Sequence, residues 1–235
     1  MKRIPTLTGI ALTALMVLPL QVAATPISTT IALNTVFSGN TPDGPAPWLT
    51  AEFTSSVGSN TGTLVLSSHT TGPDFIQGLS SQQSAVGWAF YLNQVLSPSG
   101  ATCTAGTCAD NGASYKAGGF NTGPVPGVFN LAFGWSQDNR FMIGDSATYA
   151  LTFASPLTGN PFVENDSNWS SVAHIQGIAN DCSGWIVSGD GTGAEGSGPC
   201  GDPPPVTVAE PGELGMLSLG LLFAGLLLGL RRRYG

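Results

Sequence analysis

Two histidines and a set of carboxylates in glycine-rich turns are the side chains of this 235-residue chain best suited to chemistry. His174 stands in Val-Ala-His-Ile-Gln-Gly-Ile-Ala-Asn-Asp-Cys-Ser-Gly-Trp-Ile (172–186). Read as a strand, this segment puts His174 in phase with Gln176 and Ile178, with Asp181 just beyond. The functional reading makes His174 a ligand or general base beside Asp181. The default is a hydrogen-bonded structural histidine. Gly144-Asp145-Ser146-Ala147 invites comparison with a hydrolase nucleophile, but Thr148 occupies the position where the Gly-x-Ser-x-Gly elbow needs its second glycine. A set of Ser146, His174 and any of several aspartates has almost no specificity.

Asp190-Gly-Thr-Gly-Ala-Glu195 carries two carboxylates in a glycine-rich loop, and Asp43, Asp110 with Asn111, and Asn165-Asp166 are similar. Calcium takes oxygen ligands from loops of this kind. Thr192 and Ala194 nevertheless stand at the third and fifth ligand positions of the EF-hand pattern, so solvated turns are the default. Ca2+ is the ion these loops would suit; no other cofactor is expected, and no residue is assigned as a metal ligand.

The four cysteines are Cys103, Cys108, Cys182 and Cys200. An even number suits an oxidising compartment and two disulfides. Three connectivities exist. Cys103–Cys108 and Cys182–Cys200 are favoured, because each closes a loop rich in Gly, Thr or Ser; each bond would contribute on the order of 2–4 kcal/mol. A C-x4-C spacing without a neighbouring histidine does not suit zinc.

The elements that must position these groups read as strands. Short apolar runs alternate at period two over 30–37, 48–54, 61–67, 86–95, 128–135, 149–153 and 172–178. Trp88, Phe90, Leu92 and Gln94 fall on one face of their run, and Phe129, Leu131, Phe133 and Trp135 on one face of theirs. Gly and Pro clusters punctuate them, among them 42–47, 118–119, 123–127 and 157–161. This pattern predicts an all-β fold, an antiparallel β-sandwich of jelly-roll type, over 25–187. The aromatic stripes read as core. Residues 188–208, with Asp202-Pro-Pro-Pro205, read as an extended spacer.

Between 25 and 209 only Lys116 and Arg140 are basic, against twelve carboxylates, a formal charge of −10. Such a surface repels phosphate backbones and excludes nucleic-acid binding. At the N-terminus, Lys2 and Arg3, the apolar stretch 10–20 and Val22-Ala23-Ala24 have the layout of a signal peptide over 1–24. Export through the Sec machinery follows.

The chain ends Ala209-Glu-Pro-Gly-Glu213, an uncharged run over 214–230, then Arg231-Arg232-Arg233. That run is 17 residues long. At about 1.5 Å per residue it spans roughly 25 Å, the low end of a bilayer core, so 214–230 is expected to be a transmembrane helix. The three arginines would stay cytoplasmic, placing the preceding chain outside.

A short polar motif, an apolar helix and an arginine cluster resemble the PEP-CTERM sorting signal of bacterial proteins handled by exosortase, a membrane-embedded cysteine transpeptidase. The resemblance covers the tail 209–235. Ala209 stands where the family's first proline sits, while Glu210 and Pro211 are retained. Ala173-His-Ile-Gln-Gly177 with Ser183-Gly-Trp-Ile186 also resembles an element recurring near the end of the exported domain in such proteins. The resemblance implies exosortase as a partner, membrane anchoring by the C-terminal helix before processing, and delivery to a cell surface or matrix rich in exopolysaccharide. In a bacterium the glycosylation triplet Asn168-Trp-Ser170 is usually idle. A structural or adhesive role without catalysis is expected. A carbohydrate-binding module is the alternative and needs exposed aromatics such as Trp48 or Trp169. A hydrolase using His174 comes third.

Overall fold

The computed structural model describes residues 24–78, 86–110, 112–178 and 182–189. The segment 1–23, Asp181, Cys200, the spacer from residue 190 and the whole tail lie outside the described residues. With the tail go Ala209, Glu210, Pro211 and the three arginines. Among the described residues, no helix is long and apolar enough to cross a membrane.

Twelve strands are described: β1 (Pro26–Gly39), β2 (Leu49–Ser56), β3 (Thr61–Ser68), β4 (Phe75–Ile76), β5 (Trp88–Phe90) and β6 (Leu96–Gly106), followed by β7 (Ala113–Thr122), β8 (Val125–Phe133), β9 (Phe141–Met142), β10 (Ser146–Phe153), β11 (Ser171–Ile178) and β12 (Cys182–Ser188). The all-β, antiparallel expectation is met. A sandwich predicts two separate sheets, whereas here the ladders run through one sheet in the order β6-β10-β3-β2-β1-β12-β11-β5-β8-β7, with β4 and β9 attached beside β11. Its end strands β6 and β7 touch, so the sheet nearly closes into a barrel.

β1 is the corner that makes one sheet out of two walls. Its first half, Pro26 to Leu33, pairs with β2. Its second half, Leu33 to Gly39, pairs with β12 through two register shifts. Such bulges bend a strand and sharpen its twist, which lets a strand pass from one layer to the other.

Period-two alternation turns one face of each wall inward. Leu49, Ala51 and Phe53 from β2, Leu64 and Leu66 from β3, and Tyr149, Leu151 and Phe153 from β10 meet Trp88, Phe90, Leu131, Phe133, Ala173, Ile175 and Ile186 in one buried cluster. Aromatic contacts cross between the walls: Phe133 to Tyr149 at 4.5 Å between centroids, Phe53 to Phe162 at 5.1 Å, and Phe90 to Phe162 at 5.6 Å. Each such side chain contributes about 1.5–3 kcal/mol by leaving water. The aromatic stripes are therefore core, as expected, with two departures. Phe129 belongs to a second, smaller cluster on the outer face, where Phe37, Phe120, Val125, Trp169, Val172 and Val187 also pack. Gln94 leaves the stripe altogether.

The departure of Gln94 begins where a side chain from β8 replaces strand pairing. Strand β5 ends at Phe90 rather than running to residue 95. Beyond it, the Asn130 side chain substitutes for a strand partner: its amide oxygen accepts from the Leu92 N–H and its amide nitrogen donates to the Leu92 carbonyl, both at 2.8 Å. On its other side this segment pairs with residues 161–163, through a Leu92–Phe162 bridge and the Asn93 N–H donated to the Pro161 carbonyl at 3.0 Å.

The disulfide Cys103–Cys108 forms as expected, with Cα atoms 5.8 Å apart. It closes the β6–β7 connection, which is pinned from below. The Ala109 N–H donates to the Tyr149 hydroxyl at 2.7 Å, and the Trp135 indole N–H donates to the Thr107 carbonyl at 2.9 Å. Burial pushes the Tyr149 hydroxyl up to about 12, which keeps it a neutral acceptor. Cys182 is also disulfide-bonded; its expected partner Cys200 lies outside the described residues.

Candidate functional site

His174 sits on β11 directly opposite Trp185 on β12. The two rings stack with centroids 4.6 Å apart and planes 17° off parallel. Both are half-buried on the outer face of the wall, beside the second cluster, and Gly123 of the β7–β8 turn backs onto the Trp185 ring. The expected phase is corrected here. Ile178 points into the main core while His174 points out. A register shift between Gln176 and Ile178 flips the alternation. Gly177 supplies it with φ +75°, and a Cβ there would press to 2.7 Å from the Phe75 ring, so the bulge needs glycine. Asp181 lies outside the described residues, and the pairing of His174 with a carboxylate goes with it.

Burial holds the His174 imidazole below its ordinary pKa of 6.5. The unfolded imidazole takes up a proton near pH 6.5, whereas the folded one does so only at lower pH, so the unfolded state binds more protons in that window. Stability therefore falls as pH drops below about 6.5. The expected result is a melting temperature that declines more for the parent chain than for His174→Gln between pH 7.5 and 5.5. Equal declines would remove His174 as the source.

The remaining candidates are distributed around the barrel. Ser146 opens β10, which β3, β2, β1 and β12 separate from β11 and His174 in the sheet order, so the paper triad is not assembled. His69 bonds the Thr50 hydroxyl at 2.8 Å. Asp145 closes its own turn by accepting from the Met142 N–H at 2.7 Å. Asp110 accepts from the Ser136 N–H at 2.8 Å; slight burial would raise its carboxyl, and the hydrogen bonds from Ser136 and Asn139 outweigh that and hold it down.

Asp74 is fully buried and receives the Asp43 N–H on Oδ2 at 2.7 Å, while Oδ1 has no hydrogen-bond partner. Burial pushes this carboxyl up, and the Asp43 charge adds to the effect. Two carboxylates are too few for a calcium shell of six to eight oxygens. Among the described residues no group of three or more His, Cys, Asp or Glu is placed to hold a metal ion. Asp190 and Glu195 lie outside the described residues. The lone described arginine between the termini, Arg140, lies over the Phe75 ring at 4.1 Å, a cation–π contact.

Trp48 and Trp169, the aromatics named for a sugar-binding platform, are both core. Trp48 donates its indole N–H to the Gly44 carbonyl at 3.0 Å, and Trp169 packs edge-on against Phe37 at 6.2 Å. The cleft that does exist runs along β7: its smaller part lies between β6 and β7, and its larger part between the 91–95 segment, β7, β8 and residues 165–166. Two cavities, about 530 and 490 Å³, adjoin there and share Val95, Tyr115 and Ala117. Tyr91, Asn93, Gln94 and Asp166 line the larger one. Burial and the nearby Tyr91 phenol push the Tyr115 hydroxyl up, and both phenols line the larger cavity. Periodicity misses this cleft because it assigns 86–95 to one strand. The signal available was the run Tyr91-Leu-Asn-Gln94, where two amides interrupt the apolar alternation.

No protein-family model, no curated protein and no solved structure matches this chain.

Proposed function

We propose that the chain is an exported bacterial surface or extracellular-matrix protein with a structural or adhesive role, sorted by exosortase through its PEP-CTERM-like tail. The observation that carries export is the Cys103–Cys108 disulfide in the β6–β7 connection. Such bonds persist in oxidising compartments outside the cytoplasm. The signal-like N-terminus and the apolar tail before Arg231-Arg232-Arg233 support the same direction of travel. The domain they deliver is suited to harsh surroundings: a nearly closed sheet leaves little free edge for aggregation, and its acidic surface resists self-association.

On this reading residues 209–211 are the sorting motif and the arginine cluster holds the tail until transfer. Mass spectrometry of protein from the native cells tests it. A surface-released form ending near Pro211, with no free thiol at Cys103 or Cys108, is the expected result. A membrane form retaining Arg231-Arg232-Arg233 with nothing released would remove sorting but keep export. A cytoplasmic, fully reduced protein would remove both.

A further inference from the structure

We infer that the cleft along β7 binds a neutral glycan chain, with Tyr91 and Tyr115 as its apolar contacts and Asn93 and Gln94 as its hydroxyl partners. This deepens the surface-protein reading and rests on it only for where the ligand is met. Three observations converge on the cleft.

Its size and openness come first. Each of the two adjoining cavities, about 530 and 490 Å³, falls within the roughly 300–1,000 Å³ of ligand sites. The hollow has a structural origin. β6 follows β10 with a register shift between Leu151 and Phe153, and Ser99 in that stretch has φ 58°. A non-glycine residue in the left-handed region is strained and persists only where its surroundings hold it.

The lining is the second observation. Of the large hydrophobic side chains exposed among the described residues, Val95 (55 %) and Val128 (43 %) both line this cleft. Beside them stand the two phenols and the two amides. Apolar and aromatic faces interleaved with neutral hydrogen-bonding groups match a pyranose ring, whose C–H faces pack on rings and whose equatorial hydroxyls meet amides.

Charge is the third. Asp166 is the lone charged side chain in the lining of either cavity, and the region between 25 and 209 carries a formal −10, two bases against twelve acids. An acidic polymer is repelled from such a site.

An extended peptide is the competing occupant, since strand ends invite strand addition. The β6 edge is unsuited to it. Pro98 has no N–H to donate, and left-handed Ser99 breaks the ladder beside it. Recognition in this cleft therefore falls to side chains. Asn130, whose amide is occupied by Leu92, is a positioning residue that holds 91–95 as one wall.

The test uses the full chain purified in a sugar-free detergent. It is applied to immobilised gluco-, manno- and galacto-hexasaccharides, uronic-acid hexasaccharides and a random peptide library. At least one neutral hexasaccharide is expected to bind with Kd below about 1 mM. Val95→Asp, at an exposed position shared by both cavities, should weaken that binding at least tenfold with an unchanged melting temperature. Tyr115→Ala should do the same, and Tyr115→Phe should retain binding. Lys116→Ala, outside the lining, serves as the control and leaves affinity as it is. No neutral glycan bound, uronic acids or peptides preferred, or affinity indifferent to Val95→Asp would each overturn the inference. None of these results bears on export, which the fate of the tail decides separately.

Discussion

Trp88→Ala lowers the stability of this protein by about 3–5 kcal/mol, the cost of emptying a large aromatic site in a core that cannot collapse around it. Trp88 is wholly buried on the short strand β5, with its ring stacked 5.5 Å from Phe90 and tilted 6.3 Å from Phe141. Its indole N–H donates to the Ser171 hydroxyl at 2.8 Å, and that hydroxyl in turn donates to the Ala89 carbonyl at 2.9 Å. Removing the ring strips Ser171 of its donor inside the wall, adding about 1 kcal/mol to the cavity cost. Total stabilities run to about 5–15 kcal/mol, so this single change removes a large fraction. Trp88→Phe keeps much of the packing and should lose less than half as much. Denaturant unfolding measures both. A loss under about 1 kcal/mol for Trp88→Ala would mean that β5 is not part of the cooperative core.

Gly106→Ala is the second large effect, and it acts through the backbone. Gly106 ends β6 with φ +81°, and a Cβ there would run into the carbonyl of Ser146 on β10. That carbonyl is not free to move, because it accepts the Thr107 N–H at 2.8 Å. Left-handed strain of roughly 1–2 kcal/mol combines with overpacking of about 1–3 kcal/mol, so a loss of about 2–5 kcal/mol is expected. Gly144→Ala is the matched comparison: its φ is +74°, but nothing lies within 4 Å of the added Cβ, so it should cost only the strain. Equal losses for the two variants, measured by urea midpoints, would show that the β6–β10 approach is looser than described. Because Gly106 leads into the disulfide-closed connection, its variant should also be cut sooner by protease near residues 103–112.

Much of this architecture is legible from local pattern. The alternating runs over 30–37, 48–54, 61–67 and 149–153 fall within or across β1, β2, β3 and β10, because a strand with one wet face and one dry face must alternate. The Cys103–Cys108 pairing is readable for a related reason: two cysteines close in sequence around glycine and threonine have few other geometries. The departures come from a distant side chain in one place and from a single bulge in another. Alternation puts Trp88, Phe90 and Leu92 in the core, where they lie, yet the regular strand ends at Phe90, and Asn130, far along the chain, takes the Leu92 backbone. His174 lies on a strand as its pattern predicts, but on the opposite face from Ile178, because one glycine bulge inverts a period of two. Trp169 sits in a loop with no periodicity to place it, and only the second cluster buries it.

From sequence alone come the antiparallel β class, most strand positions, one disulfide, the acidic surface and the expectation of export. These depend on residue type and short spacing, which chain-local sterics and solvent partition enforce wherever the segment ends up. The tertiary structure alone decides that one sheet, bent at β1, wraps the core until β6 and β7 nearly meet. It alone stacks His174 on Trp185 and opens a tyrosine-lined cleft along β7. Those features depend on which strands pair and where each register slips, and long-range pairing is a property of the whole packed chain rather than of any window within it.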